Sequence, residues 1–126
     1  MRTVTTGTAA FVLGIHKKDL DNILSRHTLR GFERGTRGLA RRISMESIEQ
    51  VAVAIDLARD FSIPIPAALA LADRVMRSRE GVIASPDGHL ALHADLDRIR
   101  QELHGRLSEA IERVIPPRRG RPPSRD

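Results

Sequence analysis

Two short segments near the N-terminus have apolar residues at the spacing of amphipathic helices. The first helix is predicted between the threonine-rich N-cap candidates at 5–8 and Gly14, a residue suited to a left-handed helix C-terminus. The second is predicted over residues 17–27, because its apolar positions follow the order i, i+3, i+4: Leu20, Ile23 and Leu24. A short helix, a glycine turn and a second amphipathic helix together predict a helix-turn-helix.

In the stretch 28–43, glycines and arginines replace this periodicity. Glycines favour a tight hairpin or an extended loop, and arginines are costly to bury without partners. We interpret the stretch as a wing that contacts DNA phosphates, the alternative being a flexible solvated loop. Its glycines and arginines are Arg30, Gly31, Arg34, Gly35, Arg37, Gly38, Arg41 and Arg42.

Two further helices are predicted after the wing. The third begins near Ser44, with Glu46 within a capping-box-like distance, and continues to about Asp60. Two prolines in the segment 62–66 end it, since proline disfavours helix both at its own position and at the residue before it. The second of these prolines suits the first turn of a fourth helix, predicted over 67–77.

The remaining pattern predicts a hairpin and a long helix. Pro-Asp-Gly at 86–88 separates apolar runs at 82–84 and 90–92, which predicts a short β-hairpin. A last helix is predicted over 94–114, before Pro116-Pro117. Its apolar stripe is close to a heptad seam, and we expect it to mediate self-association; the alternative is that it covers the domain's own core. The stripe contains Leu96, Ile99, Leu103, Leu107, Ala110 and Val114.

Composition narrows the class of protein. With three phenylalanines as the only aromatics among 126 residues, the core must be aliphatic, and base stacking on aromatic rings is not expected. The absence of cysteine excludes disulfides and thiolate metal sites. No apolar run approaches the length of about 20 residues that spans a bilayer, and no signal peptide is recognisable. We therefore expect a cytoplasmic protein without a membrane partner.

Charge is distributed unevenly along the chain. Residues 1–43 carry nine Lys and Arg against three Asp and Glu, residues 44–115 carry eight against 12, and residues 116–126 carry four against one. The net charge of +5 thus divides into a basic head, an acidic middle and a basic tail. Two basic segments joined by an acidic body predict two contacts with a polyanion, and DNA is the polyanion we favour.

The order of elements resembles the DNA-binding domain of the MerR-like winged-helix regulators. The resemblance covers about residues 5–77 and rests on AAFVLGI at 9–15, KDLDN at 18–22, GLARRIS at 38–44 and FSIPIPAA at 61–68. It implies a winged helix-turn-helix and a role in transcription, although excisionase-type recombination factors share the domain. The chain lacks the tyrosines of the family's recognition helix and wing, so only Arg41 and Arg42 correspond to family DNA contacts.

The C-terminal tail contains Arg119-Gly120-Arg121-Pro122, which matches the Arg-Gly-Arg-Pro core of an AT-hook. Glycine lets a backbone lie along the floor of the minor groove, and proline keeps the chain extended. The two arginines are then suited to the negative potential of a narrow A·T-rich groove. The alternative is a nonspecific basic tail, which would still add affinity by releasing counterions.

The sequence provides little support for catalysis or a metal site. His89 and His93 are four residues apart, but the turn before them places His89 in a predicted strand, and no third ligand follows by spacing. The chain also lacks a phosphate-binding glycine loop and a nucleophile elbow. Carboxylates of the middle region, such as Asp56 beside Arg59, are expected to pair on a solvated helix face. We expect no enzyme activity, no cofactor and no small-molecule effector.

These patterns predict a mainly α protein. It comprises a winged helix-turn-helix domain (1–79), a hairpin and amphipathic helix that form a homodimer (80–115) and a disordered basic tail (116–126). The expected function is sequence-specific binding of double-stranded DNA; the alternatives are an architectural or excisionase-like factor and a protein-interaction adaptor. The DNA contacts expected are Lys17, Lys18, Asn22, Arg26, Arg34, Arg37, Arg41, Arg42, Arg119, Gly120 and Arg121, with Asn22 reading a base.

Overall fold

The computed structural model describes residues 3–27, 32–33 and 42–114, and the side chains of 3–27 and 42–110. Helices dominate this part of the chain, and five short strands form two small sheets. In chain order the elements are β1 (Thr3–Thr5), α1 (Thr6–Leu13), α2 (Lys17–Arg26), β2 (Phe32–Glu33), β3 (Arg42–Ser44), α3 (Met45–Phe61), α4 (Ile65–Arg77), β4 (Val82–Ala84), β5 (Ala91–His93) and α5 (Leu96–Val114).

The turn between α1 and α2 forms as the sequence predicts. The Oγ1 of Thr5 accepts a hydrogen bond from the Thr8 amide at the N-terminus of α1, at 3.3 Å. Gly14 ends the helix with φ 72°, and its amide returns to the carbonyls of Ala10 and Phe11. Only glycine adopts this left-handed conformation without steric cost. The chain is thereby redirected into α2 within three residues.

A three-stranded antiparallel sheet in the order β1-β3-β2 lies beside these helices. Its central strand β3 pairs Ile43 with Val4 on one side and with Phe32 on the other. Ile43 is fully buried, so the sheet contributes to the core as well as joining distant segments. Strand β1 was not predicted from the sequence, although Thr-Val-Thr is a run of β-branched residues, which is typical of a strand.

The helix pair α3–α4 forms close to the predicted boundaries, with two corrections. Ser44 caps α3, but its Oγ accepts from the Ser47 amide, so the third helical position of a capping box belongs to Ser47 and not to Glu46. Ser62 ends α3 in the left-handed conformation (φ 58°). Helix α4 begins at Ile65, two residues before the predicted start, and Pro66 lies in its first turn.

The predicted hairpin is formed by β4 and β5, with β5 starting one residue later than expected. Ile83 pairs with Leu92 across the two strands, and both side chains are half-buried. The Ser85 amide donates to the Leu90 carbonyl at 2.8 Å and closes the turn. Gly81 (φ 71°) directly precedes β4, and Ala94 directly follows β5. A Cβ at Gly81 would lie only 2.5 Å from the Ala94 carbonyl oxygen.

Helix α5 packs against α1 and α3, and three of the seam residues in its described part are buried in the protein's own core: Leu103, Leu107 and Ala110. Two polar contacts fix it further, from Arg106 to the Val12 carbonyl at 3.3 Å and from Arg100 to the carboxylate of Glu49 at 3.0 Å. The alternative interpretation of the stripe, as a cover for the domain's own core, therefore applies to these three residues. Self-association through 80–115 stays a prediction that this stripe does not support.

Candidate nucleic-acid interface

Helix α2 has one buried and one exposed face. Leu20 and Leu24 are completely buried, and α2 packs against α1 through this side. Lys18, Asn22 and Arg26 are exposed, and their spacing of four residues places them along one side of the helix. The fold therefore anchors α2 by its apolar face and leaves Lys18, Asn22 and Arg26 exposed.

The predicted DNA contacts on α2 differ in whether their charge is already paired within the protein. The ammonium of Lys17 lies 2.9 Å from the carboxylate of Asp21, one turn further along. This pair is largely exposed, so it contributes little stability, but it neutralises one of the expected cations. Lys18 and Arg26 have no ion pair with any residue that the structure describes. Both cations therefore remain available to an anionic partner.

Arg42, one of the predicted DNA contacts, also has a structural role. Its Nη2 donates to the Thr3 carbonyl at 2.8 Å, and its Nε donates to the Thr3 hydroxyl at 3.3 Å. The side chain ties the start of β1 to β3, with its guanidinium at the surface. If Arg42 contacted a phosphate, its guanidinium would bond both the phosphate and Thr3 of β1. This structural role was not predicted from the sequence, because β1 was not predicted.

The other predicted contacts lie outside the described residues. These are the wing residues Arg34, Arg37 and Arg41, and the tail residues Arg119, Gly120 and Arg121. The structure does describe short segments on both sides of the wing arginines. Glu33 of β2 pairs with Arg42 of β3 in antiparallel register, so the segment 34–41 connects two adjacent strands.

In the acidic middle of the chain, several carboxylates pair with neighbouring arginines. Asp56 and Arg59 form the predicted pair at 2.8 Å, and Arg59 also bonds Asp60 at 3.0 Å. Asp73 and Arg77 form a comparable pair at 2.9 Å on α4. Each of these pairs neutralises charges locally and leaves the net charge of the body unchanged. Lys18 and Arg26 of α2, in contrast, form no ion pair with any residue that the structure describes.

The chain matches no known protein-family model, no curated protein and no solved structure in the comparisons made. Within the described residues there is no group of three or more His, Asp or Glu side chains that could hold a metal ion. Nor does that part of the chain contain a helix with the length and apolar character required to cross a membrane. The resemblance to MerR-like regulators rests on the sequence motifs alone.

Proposed function

We propose that the protein binds double-stranded DNA sequence-specifically and acts as a transcriptional regulator. In this proposal α2 enters the major groove, where Asn22 reads an adenine edge through two hydrogen bonds. Lys18 and Arg26 contact phosphates on either side and fix the register of the helix on the duplex. The proposal depends on the exposed side of α2 that carries these residues. This side is polar, its Lys18 and Arg26 form no ion pair with any residue that the structure describes, and the helix is anchored by the buried Leu20 and Leu24.

The winged interpretation is supported by the sheet. Strands β2 and β3 are adjacent and antiparallel, so the arginine-rich segment 34–41 joins them as the tip of a hairpin would. Arg34, Arg37 and Arg41 would then contact the backbone or a neighbouring minor groove. The tail residues Arg119, Gly120 and Arg121 would occupy an A·T-rich minor groove nearby.

A homodimer through residues 80–115 completes the proposal. Two recognition helices related by a twofold axis would bind an inverted repeat, with half-sites separated by whole helical turns. The side chains of Leu103, Leu107 and Ala110 are buried within one copy, so such a dimer would use another surface of this region. We place the protein in the cytoplasm, associated with the nucleoid.

Selection of random duplexes with the purified protein tests this function. We expect an enriched motif with twofold symmetry. A protein in which the exposed Ser62 is replaced by alanine should retain this motif, because Ser62 lies outside α2 and outside 80–115. Enrichment of long A·T-rich stretches without a common motif would instead indicate an architectural, excisionase-like factor. Failure to retain any duplex at about 100 mM salt would overturn DNA binding itself, since even nonspecific binders use phosphate contacts.

A further inference from the structure

An open apolar groove lies between the end of α3, helix α4 and the β4–β5 hairpin. Its volume is about 610 Å³, and twelve described residues line it. Ten of them are apolar, including Leu57 at the base and Phe61 at the end of α3, and the other two are Ser85 and Arg74. The groove is on a different part of the protein from the exposed face of α2, and the proposed DNA contacts do not use it.

Two side chains of the groove are far more exposed than their chemistry favours. Phe61 is 70% exposed and Leu90 is 75% exposed, whereas Leu57, which also lines the groove, is only 4% exposed. Leaving large apolar side chains in water forfeits the free energy that their burial would provide. A cluster of this kind beside a concave apolar surface is typical of a binding site.

The groove also has a defined charge. Arg74 is the only charged side chain among the described residues that line it. Its guanidinium forms no ion pair within the described chain, whereas the neighbouring Arg77 on the same helix pairs with Asp73 at 2.9 Å. An apolar surface with one unpaired cation is complementary to an apolar molecule with one negative charge.

The size of the groove favours a small molecule over a protein partner. Pockets for small molecules have volumes of roughly 300–1,000 Å³, a range that includes this groove. A stable protein interface instead uses about 20–30 residues on each side, compared with the twelve residues that line the groove. A second copy of the chain, or another protein, would therefore require surface well beyond it.

We propose that this groove binds a small amphipathic acid, with an aliphatic body against Leu57, Phe61 and Leu90 and its carboxylate on Arg74. A medium-chain carboxylate is the simplest molecule of this class. The site is separate from the proposed DNA contacts, because the groove and the exposed face of α2 share no residue. Seven of the twelve lining residues lie within 80–115, so the proposed dimer would have to use other residues of that region. This site was not predicted from the sequence, for which no small-molecule effector was expected.

The test uses decanoate as the probe and decan-1-ol as its neutral counterpart, with the full chain, by calorimetry and amide chemical-shift mapping in the absence of DNA. We expect decanoate to shift the amides of α4 and the hairpin. Arg74→Gln should weaken decanoate binding about tenfold, through loss of a charge-assisted hydrogen bond, and leave decan-1-ol binding unchanged. Arg79→Gln is the matched control, because Arg79 is also exposed but does not line this groove.

A second variant tests the apolar part of the site. Leu90→Asp should abolish binding of both probes while the protein stays folded, because Leu90 is mostly exposed. The proposal is overturned if decanoate fails to bind, or if Arg74→Gln and Arg79→Gln weaken it equally. It is also overturned if sedimentation shows that Leu90→Asp only dissociates a dimer, which would identify a second copy as the occupant. None of these outcomes depends on whether the protein binds DNA.

Discussion

Asn22 is an exposed carboxamide in the middle of a helix that is otherwise fixed by buried leucines. The opposite side of α2 carries Leu20 and Leu24, both completely buried. A side chain held in this way can be placed against a base edge without first ordering the backbone, and this lowers the entropic cost of recognition. A substitution at Asn22 is therefore the most specific test of the proposed DNA contact.

Replacing Asn22 with alanine should cost about 1–3 kcal/mol of binding free energy at the selected duplex, because two hydrogen bonds to one base are lost. Discrimination at a single base position should disappear, while nonspecific binding changes little. Gel shifts across a panel of single-base variants of the selected duplex measure this discrimination, with Ser62→Ala, an exposed change outside α2 and 80–115, as the control. An equal loss of affinity for every sequence would show that Asn22 does not read a base.

Asp87 is a second residue with a specific role, in the turn of the β4–β5 hairpin. Its carboxylate accepts hydrogen bonds from the Ser85 hydroxyl at 2.6 Å and from the His89 amide at 2.9 Å. These bonds, the Ser85 hydroxyl first, lower the pKa of Asp87 below its ordinary value of 3.8. Because the folded pKa is the lower one, the carboxylate stabilises the turn at neutral pH, and this contribution is lost as the pH falls through that lowered value.

We therefore expect the His89 amide to exchange with solvent faster, relative to its intrinsic rate, once the pH falls below 3.8. Asp87→Asn keeps an oxygen acceptor but cannot ionise, so this variant should lack the pH-dependent step. Hydrogen-exchange NMR of the original protein and of Asp87→Asn measures the exchange rate of the His89 amide as a function of pH. A step of equal size in Asp87→Asn would assign the pH dependence to another group.

At the scale of elements, α5 shows how one apolar stripe can have two interpretations. Its spacing suits both a coiled-coil seam and a cover for a small core, because both require apolar residues every three or four positions. In the structure Leu103, Leu107 and Ala110 are buried against the rest of the same chain, mainly α1. The helix therefore belongs to the hydrophobic core of the single chain.

Leu107→Ala should lower the free energy of unfolding of the monomer by about 2–5 kcal/mol, through lost burial and the cavity left behind. Denaturant unfolding at dilutions where the protein is monomeric measures this effect. Glu109→Ala, an exposed change on the same helix, should leave the monomer close to the original stability. If Leu107→Ala weakened self-association but left monomer stability unchanged, α5 would have to be reassigned as a seam between copies.

The whole molecule combines two basic segments with an acidic body in which several charges are paired. Salt bridges such as Arg59–Asp56 and Arg77–Asp73 account for several of the body's charges. Binding to a duplex should then depend strongly on salt, because each phosphate contacted releases condensed counterions. The basic tail should contribute to this dependence separately from α2.

Arg121→Ala should reduce the slope of log affinity against log salt by about one unit and weaken binding to A·T-rich duplexes most. Arg79→Ala is the control, because Arg79 is an exposed arginine outside α2, the wing, 80–115 and the tail. Titrations of A·T-rich and G·C-rich duplexes at several salt concentrations distinguish a tail that binds the A·T-rich minor groove from one that binds any duplex. Equal weakening on both duplexes would indicate a nonspecific basic tail.

Local signals predicted most elements but not how they are assembled. The cap of α1 at Thr5, its end at Gly14 and the hairpin around Asp87 follow from chemistry within a few residues, and each was predictable. The groove beside Arg74 was not, because its lining comes from α3, α4 and the hairpin, which are separated along the chain. The role of Arg42 was missed for the same reason, since its partner Thr3 is 39 residues away.

The sequence by itself determined the helical class, the turn between α1 and α2, the amphipathic character of α2 and the separation of basic ends from an acidic body. These properties arise from side-chain periodicity, backbone preference at glycine and proline, and charge, all of which are local. Only the tertiary structure decided that the stripe of α5 covers the chain's own core, that Arg42 holds β1, and that an apolar groove remains open around Arg74. Those outcomes depend on which surfaces meet, and a periodic pattern defines a face without specifying its partner.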